Sequence, residues 1–213
     1  YQDKGQIEVT TTPYYHPILP LLIDTEAAKV ARPSMNLPQD RFNHIEDAWI
    51  HLKKSVESYR ECFGRDPRGI WPSEQSVSPE TIKLIADAGF KWAISDEGVL
   101  ASTLGKEFRR NFYGNLEEPK DLTQPYNINI DGKSVNMIFR NVLYSDLIGF
   151  HFGRMDSRQA AWELYDRIKD VQQKLFNSSD NHLLTIALDG ENCWESYPED
   201  GNIFLEHLYH LLS

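Results

Sequence analysis

Two carboxylates occupy positions where the chain could do chemistry. Glu74 stands in Trp71-Pro72-Ser73-Glu74, directly after the strand-like Gly69-Ile70-Trp71. Asp189 stands in Leu188-Asp189-Gly190-Glu191-Asn192, at the end of the nearly continuous apolar run from His182 to Leu188. In parallel α/β folds the loops beyond the C-terminal ends of the strands form the ligand-facing rim, because helices cover the flanks of the sheet. Two acids on that rim can cleave a glycosidic bond: one attacks or stabilises the oxocarbenium-like carbon, and the other protonates the leaving oxygen. Both also have structural readings, Glu74 as an acid at the start of the following helix and Asp189 as a turn former. Residue type and position leave these alternatives open.

Further candidates surround this pair. His16 follows Tyr14 and Tyr15 on a strand-end loop and reads as a sugar hydrogen-bonding group or as a packed core histidine. Arg140 and Asp146 read as a carboxylate-orienting cation and a hydroxyl acceptor, or as members of structural salt bridges. Trp71 and Trp194 have flat faces suited equally to a sugar ring and to barrel-rim packing. Glu8 is open between substrate contact and a buried ion pair. The two cysteines, Cys62 and Cys193, and the scattered histidines show no metal-ligand spacing, so no metal or cofactor is expected.

The elements that must carry these residues can be read from periodicity. Gly5–Thr12 is rich in β-branched residues and runs into Pro13, as a strand entering a loop does. From Asn43 to Phe63 apolar residues recur at helical spacing before Gly64, which predicts an amphipathic helix. Ser78-Pro79 predicts a capped helix through Ala88, Lys91–Ser95 a strand, and Val135–Phe139 a strand after the Asp131-Gly132 turn. Ala160–Phe176 and Phe204–Leu212 read as helices, and His182–Leu188 as a strand buried on both faces. The segment from Ser102 to Pro125 is less regular and is expected to cover the site. Alternating strands and helices without a repeat or linker predict α/β architecture as a single domain, barrel or open sheet.

Composition limits the partners. Acidic residues outnumber Lys and Arg by 32 to 22 among 213 residues, and no run of Lys or Arg exceeds two. Nucleic acid and anionic membranes are therefore excluded as expected partners. No stretch approaches the ~20 apolar residues that span a bilayer, and the start has neither Met nor a signal-like apolar region. The sequence is accordingly expected to begin inside a longer protein, with the cytoplasm favoured as its compartment.

Four stretches make the residues recognisable. GQIEVTTTPYYHPILPLL, GIWPSEQSVS, FRNVLYSDLIGF and LDGENCWESYPEDG occur in that order and resemble successive motifs of glycoside hydrolase family 57, most of all its α-amylase or amylopullulanase branch. The resemblance implies a (β/α)7-type barrel with Glu74 as nucleophile and Asp189 as general acid/base. It also implies an α-glucan substrate such as starch, glycogen or maltooligosaccharides. Glu74 would attack the anomeric carbon, and Asp189 would protonate the glycosidic oxygen and then deprotonate the incoming water or sugar. Such a double displacement retains configuration and requires carboxyl groups about 5 to 5.5 Å apart.

Two departures from the family pattern matter. Asn141 stands where the pattern more often has Asp, removing one expected charged partner of Arg140. The family's early His-Gln-Pro motif has no counterpart before Gly5, so the first barrel strand and the remainder of the parent chain are expected as missing partners of this fragment. Three alternatives accompany the main reading. They are 4-α-glucanotransferase or branching-type transfer, metal-dependent action on sugars, and noncatalytic glucan binding.

Overall fold

The computed structural model describes residues 1–190 and 193–213, so Glu191 and Asn192 of the LDGEN stretch lie outside the described residues. The chain divides into two compact units. The first comprises Tyr1–Ser95 and Tyr126–Ile138, the second Asp96–Pro125 and Phe139–Ser213.

The first unit carries α1 (Leu19–Ile23), α2 (Ala28–Ala31), α3 (Ile45–Phe63), β1 (Gly69–Ile70), α4 (Pro79–Asp87), β2 (Trp92–Asp96), β3 (Tyr126–Ile130) and β4 (Lys133–Arg140). The last residue of β2 and the last two of β4 run on into the second unit. In α3, Ala48, Leu52, Ser55 and Tyr59 are buried at the three-to-four-residue spacing of one helix face. The helix starts with Glu46 and Asp47 against its positive end. It stops where Gly64, at φ 68°, adopts the left-handed conformation that a side chain disfavours. Helix α4 starts at Ser78, whose hydroxyl accepts from Thr81 N at 3.2 Å, with Pro79 preset for the first turn.

Strand order in the sheet is β1-β2-β4-β3. β1 and β2 run parallel, with Gly69 opposite Trp92 and Ile70 opposite Ala93. Thr11 extends this parallel edge by a single bridge to Ile70. β3 and β4 form an antiparallel hairpin in which Ile130 faces Lys133. Its turn places Asp131 and Gly132 at φ 51° and 79°, as a two-residue type I′ connection needs. Lys83 on α4 reaches Asp131 at 2.8 Å and Lys133 reaches Asp87 at 2.8 Å, tying the hairpin to the helix.

The second unit carries α5 (Glu97–Leu104), α6 (Val142–Asp146), α7 (Ser157–Leu175) and α8 (Asn202–Leu212). Its core gathers Tyr144, Ile148, Phe152, Ala160, Ala161, Leu164, Val171, Tyr197, Phe204 and Leu208. Two tyrosines bring hydroxyls into this apolar interior. Tyr197 donates to the Ile148 carbonyl at 2.6 Å, and Tyr144 to that of Arg167 at 3.3 Å. Burial pushes the Tyr144 hydroxyl up to about 12 and shifts Tyr197 upward as well, so both stay neutral donors.

The α/β class holds, but among the described residues no closed barrel is formed: the sheet is small, mixed and open. The run 182–188, expected as a buried strand, pairs as one bridge, Thr185 with Arg140. Two of its N–H groups donate elsewhere, Leu183 N to Thr123 O at 2.7 Å and Ala187 N to Ser145 Oγ at 3.2 Å. At those two positions the N–H groups are committed to a loop carbonyl and a side chain and cannot also serve a ladder. No described helix is long and apolar enough to cross a membrane.

Leu164 is fully buried in the second core, so Leu164→Ala should cost about 2 to 5 kcal/mol. Chemical denaturation should show the midpoint for this unit moving down. An unchanged midpoint would mean that α7 does not carry the core as described.

Candidate active site

Glu74 reaches its position through a turn rather than a regular element. Trp71 N donates to Thr11 O at 2.8 Å, which closes the strand pair, and Pro72 then leads the chain out of β1. Glu74 and Gln75 both take left-handed backbone, at φ 54° and 55°. A non-glycine residue in that region costs on the order of 1 to 3 kcal/mol. The neighbours fix it. Gln75 N donates to Pro72 O at 2.7 Å and Ser76 N to Ser73 O at 3.0 Å, while the buried Ser95 hydroxyl donates to Gln75 O at 2.8 Å. Pro72, Ser73 and Gln75 are buried and Glu74 alone points out, with its side chain 70% exposed.

His16 meets that carboxylate. Tyr15 and His16 are also left-handed, at φ 63° and 55°, in a turn closed by His16 N donating to Pro13 O at 2.8 Å. The turn brings His16 Nε2 to 3.6 Å from Glu74 Oε1. His16 Nδ1 lies 2.9 Å from Thr12 Oγ1, and the Thr12 hydroxyl donates to Pro13 O at 3.1 Å. With Nδ1 engaged by Thr12, Nε2 is the nitrogen that faces Glu74 and solvent. Thr12 thereby orients the imidazole, a role the sequence reading missed although the residue sits four positions before His16.

Glu8 lies apart from this pair. It is exposed and accepts the Trp92 indole N–H at 2.8 Å. Trp92 begins β2, so Glu8 sits at the end of the parallel strands opposite to Glu74. There it lines a cavity of about 360 Å³ with Tyr59, Arg65 and Arg68. Trp71 is half-buried where β1 ends.

In the second unit Arg140 ends β4 and donates from Nε to Asp96 Oδ2 at 2.8 Å. Asp96 uses its other oxygen to accept Gly98 N at 2.7 Å, capping α5. The missing charge at Asn141 therefore falls elsewhere than expected. Asn141 is fully buried, accepts Tyr144 N at 3.1 Å as the cap of α6, and lies 3.4 Å from Arg110. Glu97 answers Arg110 at 2.6 Å and also accepts Val142 N at 3.0 Å. Asp96 and Glu97 were not singled out from sequence, because their partners lie 44 and 13 positions away.

Asp189 is exposed four residues beyond the Thr185 bridge, and its carbonyl accepts the Cys193 thiol at 3.2 Å. Asp146 is half-buried at the end of α6. Trp194 packs by its ring, with centroids 5.4 Å from Tyr197 and 6.3 Å from Phe204. Gly201, at φ 80°, leaves room for it, since a Cβ there would lie 2.5 Å from the indole. Among the described residues, no three His, Cys, Asp or Glu side chains gather as a metal site.

The family model for glycosyl hydrolase family 57 matches residues 1–213. The chain belongs to this family. A family 57 assignment agrees with the relatives found. The chain is 27% identical over 105 residues to α-amylase 1 of Dictyoglomus thermophilum, covering 49% of this chain and 12% of that protein. It shares its fold with a family 57 branching enzyme from Thermococcus kodakaraensis, at a TM-score of 0.66 and 15% identity, covering 99% of this chain and 45% of that one. The fold also matches a 4-α-glucanotransferase from Thermococcus litoralis, at a TM-score of 0.59 and 18% identity, covering 98% of this chain and 26% of that one. The family 57 chain described here thus spans less than half the length of these relatives.

The turn geometry separates two substitutions of Glu74. In left-handed backbone glycine relieves a strain that alanine keeps, so Glu74→Gly should be more stable than Glu74→Ala by about 1 kcal/mol. Equilibrium denaturation of the two variants checks this. An alanine variant at least as stable as the glycine variant would contradict the described turn.

Proposed function

We propose that the family 57 protein to which this chain belongs hydrolyses α-1,4 glucosidic bonds in starch, glycogen or maltooligosaccharides by double displacement, with α-1,6 bonds as a second class of target. Glu74 is the nucleophile and Asp189 the acid/base. The observation that carries the reading is the exposed Glu74 carboxylate on a strained turn at the C-terminal end of β1, facing an imidazole held by Thr12. Strain of this kind persists where the surroundings over-determine it, and it concentrates at catalytic turns.

The roles follow from the groups. Glu74, ionised, forms the glycosyl ester with the anomeric carbon. Asp189 delivers its proton to the departing oxygen and recovers one from the water that releases the sugar. His16 is assigned to a sugar hydroxyl through Nε2, and Arg140, fixed by Asp96, to a substrate oxygen or to a carboxylate of the site. Asp146 is assigned as a hydroxyl acceptor, and Trp71 as a stacking surface.

Transfer is the second reading, and the fold shared with a branching enzyme and a glucanotransferase favours it. Hydrolysis and transfer share the formation of the ester and differ in which hydroxyl intercepts it. Turnover of maltooligosaccharides and pullulan by the full-length protein, with product anomers followed by NMR, tests both. Retained configuration is expected, with turnover lowered by at least about a thousandfold in Glu74→Ala and Asp189→Ala. Inverted anomers or undiminished turnover in either variant would overturn the assignment, and chain lengthening with maltooligosaccharides would select transfer over hydrolysis.

A further inference from the structure

Between α5 and β3 the chain presents two aromatic side chains to solvent from a backbone that is unusually well held. Phe112 is 96% exposed and Tyr113 73%, their rings edge to face with centroids 5.5 Å apart. Isolated exposed aromatics are ordinary and need no explanation. The loop beneath these two is what requires one.

Arg110 and Leu116 pair as an antiparallel bridge at its base. Asn111 N donates to Asn115 O at 2.9 Å and Gly114 N to Asn111 O at 2.8 Å. The Asn111 side-chain oxygen accepts both Tyr113 N and Asn115 N at 3.0 Å. Gly114, at φ 81°, passes under Leu143, where a Cβ would come within 2.7 Å. Three cations fasten the carbonyls. Arg110 donates to Gly114 O at 3.2 Å, Arg167 of α7 to Tyr113 O at 2.7 Å, and Lys174 of α7 to Leu116 O at 2.6 Å. Arg110 and Arg167 are themselves fixed by Glu97 and Glu163.

The ordering entropy of this segment is therefore met by the fold before any ligand arrives, while the two rings gain nothing from it. Preorganised aromatic groups on a rigid base are what a binding site needs, because little freedom is left to lose on association. The exposed pair is also small. Two side chains offer on the order of 300 Å², well below the ~800 Å² per partner of a stable protein interface, yet comparable to the apolar faces of one or two pyranose rings. The exposed Asn111 beside them carries a side-chain amide, a group of the kind sugar hydroxyls bond.

We propose that Phe112 and Tyr113 form a carbohydrate-stacking platform that grips an α-glucan chain through the C–H faces of its glucose units. The proposal rests on the α-glucan reading above for the identity of the ligand and adds residues outside the four motif stretches.

The test is the affinity of the full-length protein for soluble starch and maltoheptaose, by affinity electrophoresis and calorimetry, in a Glu74→Ala background that holds the ligand uncleaved. Phe112→Ala and Tyr113→Ala are each expected to weaken binding by about tenfold and the double variant by more. Melting temperature should not move, because the removed side chains are exposed. Unchanged affinity in the double variant overturns the platform while leaving the α-glucan reading intact. Absence of affinity in the Glu74→Ala parent, together with absence of turnover in the unsubstituted protein, overturns both. A change of oligomeric state in the double variant without a change in glucan affinity assigns the rings to a protein contact and also overturns the proposal.

Discussion

The turn that follows β1 is the constraint that sets where the Glu74 carboxylate stands. Its two left-handed residues are unfavourable by themselves, and only the packing around them makes the conformation persist. Pro72, Ser73 and Gln75 are buried, and Ser95 of β2 clamps the Gln75 carbonyl. The parallel β1–β2 pair sets the distance across which that clamp acts. Glu74 is consequently aimed outward by residues that are themselves buried. The His16 turn repeats the device with a second pair of left-handed residues, and the two strained turns meet at 3.6 Å.

In the second unit the equivalent task falls to charge. Asp96 and Glu97, consecutive at the junction of β2 and α5, each hold one arginine and each accept a backbone N–H. Partly buried ion pairs of this kind contribute little net stability, but removing one partner leaves an uncompensated charge. Their consequence is positional: Arg140 is fixed at the end of β4, and Arg110 is fixed under the aromatic loop. The same two acids thus connect strand ends to the side chains assigned to the glucan.

What was legible in the sequence follows the strength of each local signal. α3 and α4 were read within a residue or two, because helical spacing, a serine cap and a terminal glycine agreed. Placing Glu74 just beyond a strand was legible for the same reason. α5 is not legible in the sequence, since a single residue of it, Leu100, is buried and no amphipathic face marks it. β3 was missed although Tyr-Asn-Ile-Asn-Ile alternates with period two, which the Asp131-Gly132 turn should have brought out. The strand expected at 182–188 was over-read, because an apolar run shows burial but not which partner takes its N–H groups. The pairing of Arg140 with Asp96, and of Asn141 with the α6 terminus, depends on long-range placement that no local pattern encodes.

Covalent trapping is the most direct test of the proposed role of Glu74 as nucleophile. A fluorinated α-glucosyl donor that slows breakdown of the glycosyl ester more than its formation would be incubated with the full-length protein, which would then be digested and mapped by mass spectrometry. One glucosyl adduct is expected on the peptide containing Glu74, absent from Glu74→Gln. An adduct on any other carboxylate, or turnover of the donor by Glu74→Gln at the parental rate, would contradict it.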